Sequence, residues 1–331
     1  MVVQTPAFKL LANGVDITAK IKPYFLELST VDDAKDDSDA FDLVLVRDST
    51  LQIPNRGARL NLALGWEDAP LIQVGQYVVD EREIDEVAKT VVIRCKGTPF
   101  NVNQHHKQMQ SQKTQAWASN PLGVVVDSIA KRNGLSISIS PSLASIPLTA
   151  FYQRHESDLH LLQRLARQYH ASFKINGGTL IFQGLGSPST PKGVALPLHR
   201  FNLKDLSDCQ YSDGGRGEGG SCVARYRLRS QKKSEMVVVG QGDPVRRLKG
   251  VYPSLVQAQE AAQAHLQQTQ KSSRRLSLRL PYGDASLFAL HQVALTGTSP
   301  PISGENWQII RVTHQLDFAS GFTTRLDCEG V

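Results

Sequence analysis

The residue pattern predicts an α+β fold, mainly β, with two β-rich regions flanking a central α/β domain. Three observations carry this. Residues 5–98 alternate apolar and polar side chains in short runs broken by Asp and Gly, the period of half-buried strands. Residues 156–182 read as a capped helix, a strand, a Gly-Gly turn and a second strand. From about residue 200 the alternation returns, with one helix within it. The expected domains are 1–98, 99–200 and 201–331.

In the first region, Phe41, Leu43 and Leu45 alternate with Asp42, Val44 and Val46. Leu60, Leu62, Leu64 and Trp66 alternate with Arg59, Asn61, Ala63 and Gly65. Ile72 to Asp80 and Thr90 to Cys95 are further strands, and the punctuation suits an antiparallel barrel or sandwich. The acidic run from Asp32 to Asp39 is expected to be a solvated loop.

The central domain opens with Asn120 placed to cap a helix and Pro121 at its first position, where the missing N–H costs nothing. Leu122, Val125, Val126, Ile129 and Ala130 form its apolar face, and Asn133 with Gly134 ends it. Leu135 to Ile139 reads as a short strand. Ser157 can cap the next helix by accepting a first-turn N–H, and Asp158 puts negative charge at the positive end of the helix dipole. Leu159, Leu162, Leu165, Ala166 and Tyr169 then share one face. Phe173 and Ile175 alternate with Ser172 and Lys174, and Gly177-Gly178 can take the positive φ of a tight turn. Gly184 to Gly193, with Pro188 and Pro191, reads as a connecting loop.

In the last region, Ser254 and Gln257 have capping-box spacing, and the helix they open runs to about Gln270. Leu276, Leu278 and Leu280 alternate with Ser277 and Arg279. Trp307 to Leu316 and Phe322 to Cys328, around Ser320 and Gly321, form a final hairpin.

At 331 residues, 40% hydrophobic and 21% charged, the chain has the make-up of a folded soluble protein of two or three domains. No apolar run approaches the roughly 20 residues that span a bilayer. The N-terminus lacks a basic segment followed by an apolar one, so the chain is expected to stay in the cytoplasm unless an assembly carries it out. Cys95, Cys209, Cys222 and Cys328 are scattered without a Cys-x-x-Cys pair, which points to free thiols rather than disulfides or zinc. Charge is uneven. Residues 1–100 hold 11 Lys and Arg against 16 Asp and Glu, whereas residues 101–331 hold 26 against 15. Such asymmetry permits an anionic partner and equally suits head-to-tail contacts between subunits.

No constellation carries recognisable chemistry. His105 and His106 are adjacent, so their side chains diverge in a helix or a strand. His155, Glu156 and His160 echo a zinc-protease helix, but the histidines are five apart rather than four. The run from Gly214 to Gly220 lacks the Gly-Lys-Ser/Thr ending of a phosphate cradle and suits a flexible loop. No Gly-x-Ser-x-Gly elbow is present. A glycosidase carboxylate pair is defined by its spatial separation, and nothing in the sequence singles one out. A basic tract spans Arg225, Arg227, Arg229, Lys232, Lys233, Arg246, Arg247 and Lys249, joined by Lys271, Arg274, Arg275 and Arg279. Tyr226 and Tyr252 are the stacking residues near it. Alternation puts Arg225, Arg227 and Arg229 on one side of a strand, and a subunit interface is the expected use.

The segment Glu156 to Phe182, with the segment Leu122 to Leu135, resembles the core of the late control protein D family. These are baseplate hub proteins of contractile phage tails, related to the hub part of type VI secretion spike proteins. Gly57 to Leu60 and Gly75 to Asp80 resemble its first barrel. Trp307, Thr313-His314 and Gly321 to Thr324 resemble its C-terminal pattern. The resemblance implies two β-barrel-like hub domains around the central α/β domain. It also implies a homotrimer whose six similar barrels join a sixfold tail tube to a threefold spike. The implied partners are a second and third copy of the chain, a separate spike protein, the tail tube protein and other baseplate proteins. The implied location is the virion baseplate, after assembly in the host cytoplasm. No catalytic residue, cofactor, metal or membrane span is expected. The other readings left open are a baseplate-borne cell-wall hydrolase and a basic nucleic-acid-binding protein.

Overall fold

The computed structural model describes residues 4–35, 39–97, 105–148, 150–176, 178–214, 220–227 and 234–331. The first region contains β1 (Pro6–Ala12), β2 (Val15–Asp16), α1 (Thr18–Ile21), β3 (Phe25–Asp33), β4 (Ala40–Val46), β5 (Arg59–Trp66), β6 (Ile72–Asp85) and β7 (Thr90–Gly97). Its strands pair antiparallel in the order β3-β4-β7-β6-β5-β1-β2. The alternation decides which face is inside: Phe41, Leu43, Leu45, Leu60, Leu62 and Leu64 are all buried. They meet Leu10, Leu28, Tyr77 and Val91 in a single core, so the sheet curls around its own apolar face.

The central region contains α2 (His105–Gln110), β8 (Gln112–Trp117), α3 (Leu122–Arg132), β9 (Ser136–Ile139), α4 (Pro141–Ala144), β10 (Phe151–Ser157), α5 (Asp158–Gln168), β11 (Ala171–Asn176) and β12 (Thr179–Gly184). β8 pairs with β10, and β12 lies between antiparallel β11 and parallel β9. Gly178, at φ +76°, makes the turn between β11 and β12. The apolar faces of α3 and α5 close on Leu180 and Phe182. Two details differ from expectation. Asn120 does not cap α3; Pro121 holds the N-cap position at φ −58° and ψ 149°. Tertiary structure does the capping instead, because the Leu122 N–H donates to the Ile146 carbonyl at 2.8 Å. The inward arc of α5 is Asp158, Leu161, Leu162, Leu165 and Ala166, with Leu159 on its shoulder.

The last region contains β13 (Leu198–Asn202), β14 (Asp208–Asp213), β15 (Ser221–Tyr226), β16 (Glu235–Gly240), β17 (Val245–Tyr252), α6 (Leu255–Ser273), β18 (Arg274–Leu280), β19 (Gln292–Thr296), β20 (Asn306–Asp317) and β21 (Gly321–Gly330). β14, β18, β21 and β20 pair in that order, with β19 on β20 and β13 on β19. Leu276, Leu278, Val293, Trp307, Ile309 and Leu326 fill their core. Between β14 and β18 the chain builds a separate unit. β16, β15 and β17 form a three-stranded sheet, and α6 covers one face of it over Cys222, Ala224, Tyr252, Ala258 and Ala262. The Ser254 hydroxyl caps α6 by accepting the Gln257 N–H at 3.3 Å.

One pairing joins the ends of the chain. β20 runs antiparallel to β3 over seven register pairs, from Arg311 opposite Asp33 to Asp317 opposite Glu27. The first and last regions therefore share one 13-stranded sheet. The architecture is α+β and mainly β, as expected. Among the described residues, no helix is long and apolar enough to cross a membrane.

Candidate functional site

The acidic run that was expected to be a solvated loop is instead, where described, a three-way junction. Its residues 36–38 lie outside the described residues. Asp33, at the end of β3, is buried against Arg311 of β20, with Nε and a terminal guanidinium nitrogen each 2.7 Å from Oδ2. Asp32 accepts the Ala289 N–H at 2.8 Å and pairs with Lys174 of β11, which also reaches Asp39 at 3.2 Å. Lys35 pairs with Glu329. Burial opposes the Asp32 carboxylate, yet Lys174 and the Ala289 N–H outweigh it and hold its pKa below the usual value. Burial, resisted by Lys174 and reinforced by the neighbouring Asp32, pushes Asp39 up to about 6. Burial also works against the Lys174 ammonium, but its two carboxylates raise its pKa. Beside these ions, Ala34, Leu185, Ala289 and Ile310 pack as a small apolar cluster drawn from all three regions. The start of the predicted connecting loop is clamped here. Buried Gln308 accepts the Gly186 N–H at 2.5 Å and donates to the Leu290 carbonyl at 3.3 Å. These ion pairs, with the β3–β20 ladder, bring the three regions together at one point.

A second buried ion organises the central region. Asp158, read from sequence as a dipole charge, is fully buried. Its carboxylate accepts from Lys113 at 2.5 Å, Arg132 Nε at 2.8 Å, Asn133 at 2.9 Å and Gln153 at 3.1 Å. The Arg132 guanidinium also lies over Trp117, 5.3 Å from the ring centroid. The Ser157 hydroxyl accepts the His160 N–H at 3.1 Å, as its N-cap role requires.

The residues expected to form an interface divide three ways. Arg225 lies on β15, the central strand of the small sheet, and is exposed on the face opposite α6. Arg227 follows the strand and is exposed. Arg229 lies outside the described residues. Across the open face the register sets Met236, Arg225 and Val251 in one row and Val238, Val223 and Arg247 in the next. Tyr226 and Tyr252 face α6 and are buried, so neither is presented for stacking on a nucleobase. Gly220 packs so tightly that an added Cβ would sit 2.4 Å from the backbone of Gly242.

The chemical candidates are not brought together. His105 and His106 fall on α2, but their side chains lie outside the described residues, as do Gly215 to Gly219. Glu156 is held by Arg164 through two 2.8 Å bonds, while His155 and His160 are exposed. Among the described residues, no group of three or more His, Cys, Asp or Glu side chains could hold a metal ion. Cys95, Cys222 and Cys328 are buried and free, and burial pushes the Cys95 thiol up to about 12. The sequence reading missed a stacked pair, His199 and His291, whose facing nitrogens are 3.1 Å apart.

No family model matches the chain. It is 29% identical to a probable baseplate hub protein of Escherichia phage 186, over 98% of this chain and 92% of that one. It is 28% identical to the corresponding protein of Escherichia phage P2, over 98% and 93%. Among solved structures, a Neisseria meningitidis tail protein superposes with a TM-score of 0.65 at 10% identity, covering 98% of this chain and 96% of its own. The 43 kDa tail protein of prophage MuSo2 from Shewanella oneidensis gives 0.62 at 14%, covering 97% and 95%. An Escherichia coli type VI secretion component gives 0.57 at 9%, covering 98% and 77%. The fold is thus that of phage tail proteins and of a type VI secretion component. In sequence, the chain is similar to the probable baseplate hub proteins of phages 186 and P2 along nearly its whole length, and this supports a structural baseplate hub role.

Proposed function

We propose that the chain is the structural hub of a contractile-tail baseplate and acts by binding rather than by catalysis. The observation that carries this is similarity to two probable baseplate hub proteins over nearly the full length, together with two β regions joined on one sheet. In this reading three copies close a ring whose six β regions meet a sixfold tube on one side and a threefold spike on the other. The spike, the tail tube protein and other baseplate proteins are separate chains. The ring is built in the host cytoplasm and ends in the virion tail. Regions 1–98, 99–200 and 201–331 are its units, with 220–273 as an insertion having its own core. Light scattering is expected to give three times the 36.4 kDa chain mass, and a stable dimer or tetramer would refute the ring. Complementation of a hub-deficient phage tests the role itself. Tails that assemble normally but fail at wall penetration when His155 or Glu156 is replaced by Ala would favour a hydrolase.

A further inference from the structure

The formal charge of the chain, +6, resides in one place. Residues 220–273 hold nine Lys and Arg against three Asp and Glu, and the rest of the chain is balanced at 28 of each. Among the described residues, no element covers one face of this sheet, while α6 lies on the other. The open face carries Arg225 and Arg247 beside Met236, 61% exposed, and Val238, 60% exposed. Basic and apolar groups thus stand side by side at the surface around Val223, which is itself buried.

The complementary feature lies in the first region. β6 runs on past its pairing with β5, whose last partner is Val78, and continues to Asp85 paired with β7. Between Asp80 and Lys89 the resulting β6–β7 arm holds five acidic residues and two basic ones; Glu81 and Glu83 pair at the surface with Arg94 of β7, and Glu86 with Arg47 and Lys89. Its exposed apolar residues are Ile84 at 48% and Val87 at 95%, the latter at the tip. Acidic groups and isolated aliphatic side chains therefore match, in sign and kind, the open face of the inserted unit.

We infer that the open face of β16-β15-β17 docks the acidic β6–β7 arm of a second copy of this chain. The contact is heterologous, since one copy gives the face and the next gives the arm, and such contacts form a ring when the rotation between copies closes. This rests on the hub reading and adds which two surfaces meet. The burial of Tyr226 and Tyr252 favours a protein partner over a nucleic acid, because the face presents no ring for stacking.

The test uses Val87→Cys and Val238→Cys with a short bismaleimide, in solution and in tails from complemented hub-deficient phage. A chain with both substitutions is expected to give covalent dimers and a closed trimer. Chains with one substitution each should give a dimer only when mixed, and neither should give an adduct alone. Arg225→Glu with Arg247→Glu should abolish the adduct, and salt should reduce it. Tails that assemble normally but yield no adduct overturn the contact and leave the hub reading standing. Failure of the wild-type chain to enter tails overturns the hub reading itself. A labelled oligonucleotide that binds the wild-type chain and is released by the double arginine reversal, with the adduct unchanged, assigns the face to nucleic acid and overturns the contact.

Discussion

Replacing Asp158 with Ala is expected to destabilise the central region strongly. The carboxylate is fully buried and accepts from two cations and two amides. Removing one partner of a buried ion pair costs about 3–5 kcal/mol, mostly because the remaining charges lose their compensation. Lys113 and Arg132 are each about a quarter exposed, so water recovers part of the loss. The lower end, about 3 kcal/mol, is therefore expected. At a urea slope of about 2 kcal/mol/M, this moves the midpoint by about 1.5 M. Trp117 is a local reporter, because it stacks on Arg132 and its ring N–H donates to Gln153. With Trp66 and Trp307 replaced by Phe, its fluorescence follows this region alone. Burial opposes the Asp158 carboxylate, but Lys113, Asn133, Gln153 and Arg132 outweigh it and lower its pKa. A carboxyl depressed on folding stabilises at neutral pH and loses that contribution as pH falls through its folded value. The gap between wild type and Asp158→Ala should thus begin to narrow below about pH 4 and go on closing as pH falls through the lowered value. Ser157→Ala, which removes only the cap, should cost about 1 kcal/mol. A midpoint for Asp158→Ala no lower than that of Ser157→Ala would refute the argument.

Two further outcomes test the packing and the junction. Leu165→Ala should destabilise the central region by about 2–5 kcal/mol in the same urea assay, because the side chain is buried between α5 and the hairpin. Asp39 holds its proton more tightly in the folded state, so its contribution falls as pH rises from about 4 to about 6. Asp39→Asn should therefore be neutral below pH 4. Above pH 6 it should be stabilising by about 1 kcal/mol, the side chain being two-fifths exposed. Thermal melts across that range check the sign.

The elements legible in the sequence were those whose signals are local. The faces of α3 and the strands around Phe41, Leu60 and Leu276 obey periodicity, and their predicted inward residues are buried. The caps at Ser157 and Ser254 are equally local. What was illegible depends on partners far along the chain. β3 gives a weak alternation because it is a central strand between two regions, and its acidic end looks solvated until Lys174, Ala289 and Arg311 are placed around it. Asp158 looks like a dipole charge for the same reason. Asn120 does not cap α3, and the Leu122 N–H at the helix terminus donates instead to the distant Ile146 carbonyl. In the basic tract, periodicity put Arg225 on an open face. It gave no sign that Tyr226 and Tyr252 would be covered by α6, a helix that follows in the chain.

The β3–β20 seam has a consequence for synthesis. Arg311 and Asp33 are 278 residues apart. At roughly 5–20 residues per second, β3 leaves the ribosome tens of seconds before its partner exists. Until then one edge of a long strand is unsatisfied and open to pairing with another chain. A product truncated before β20 would carry that open edge permanently. The seam thus closes that edge only once β20 has been made.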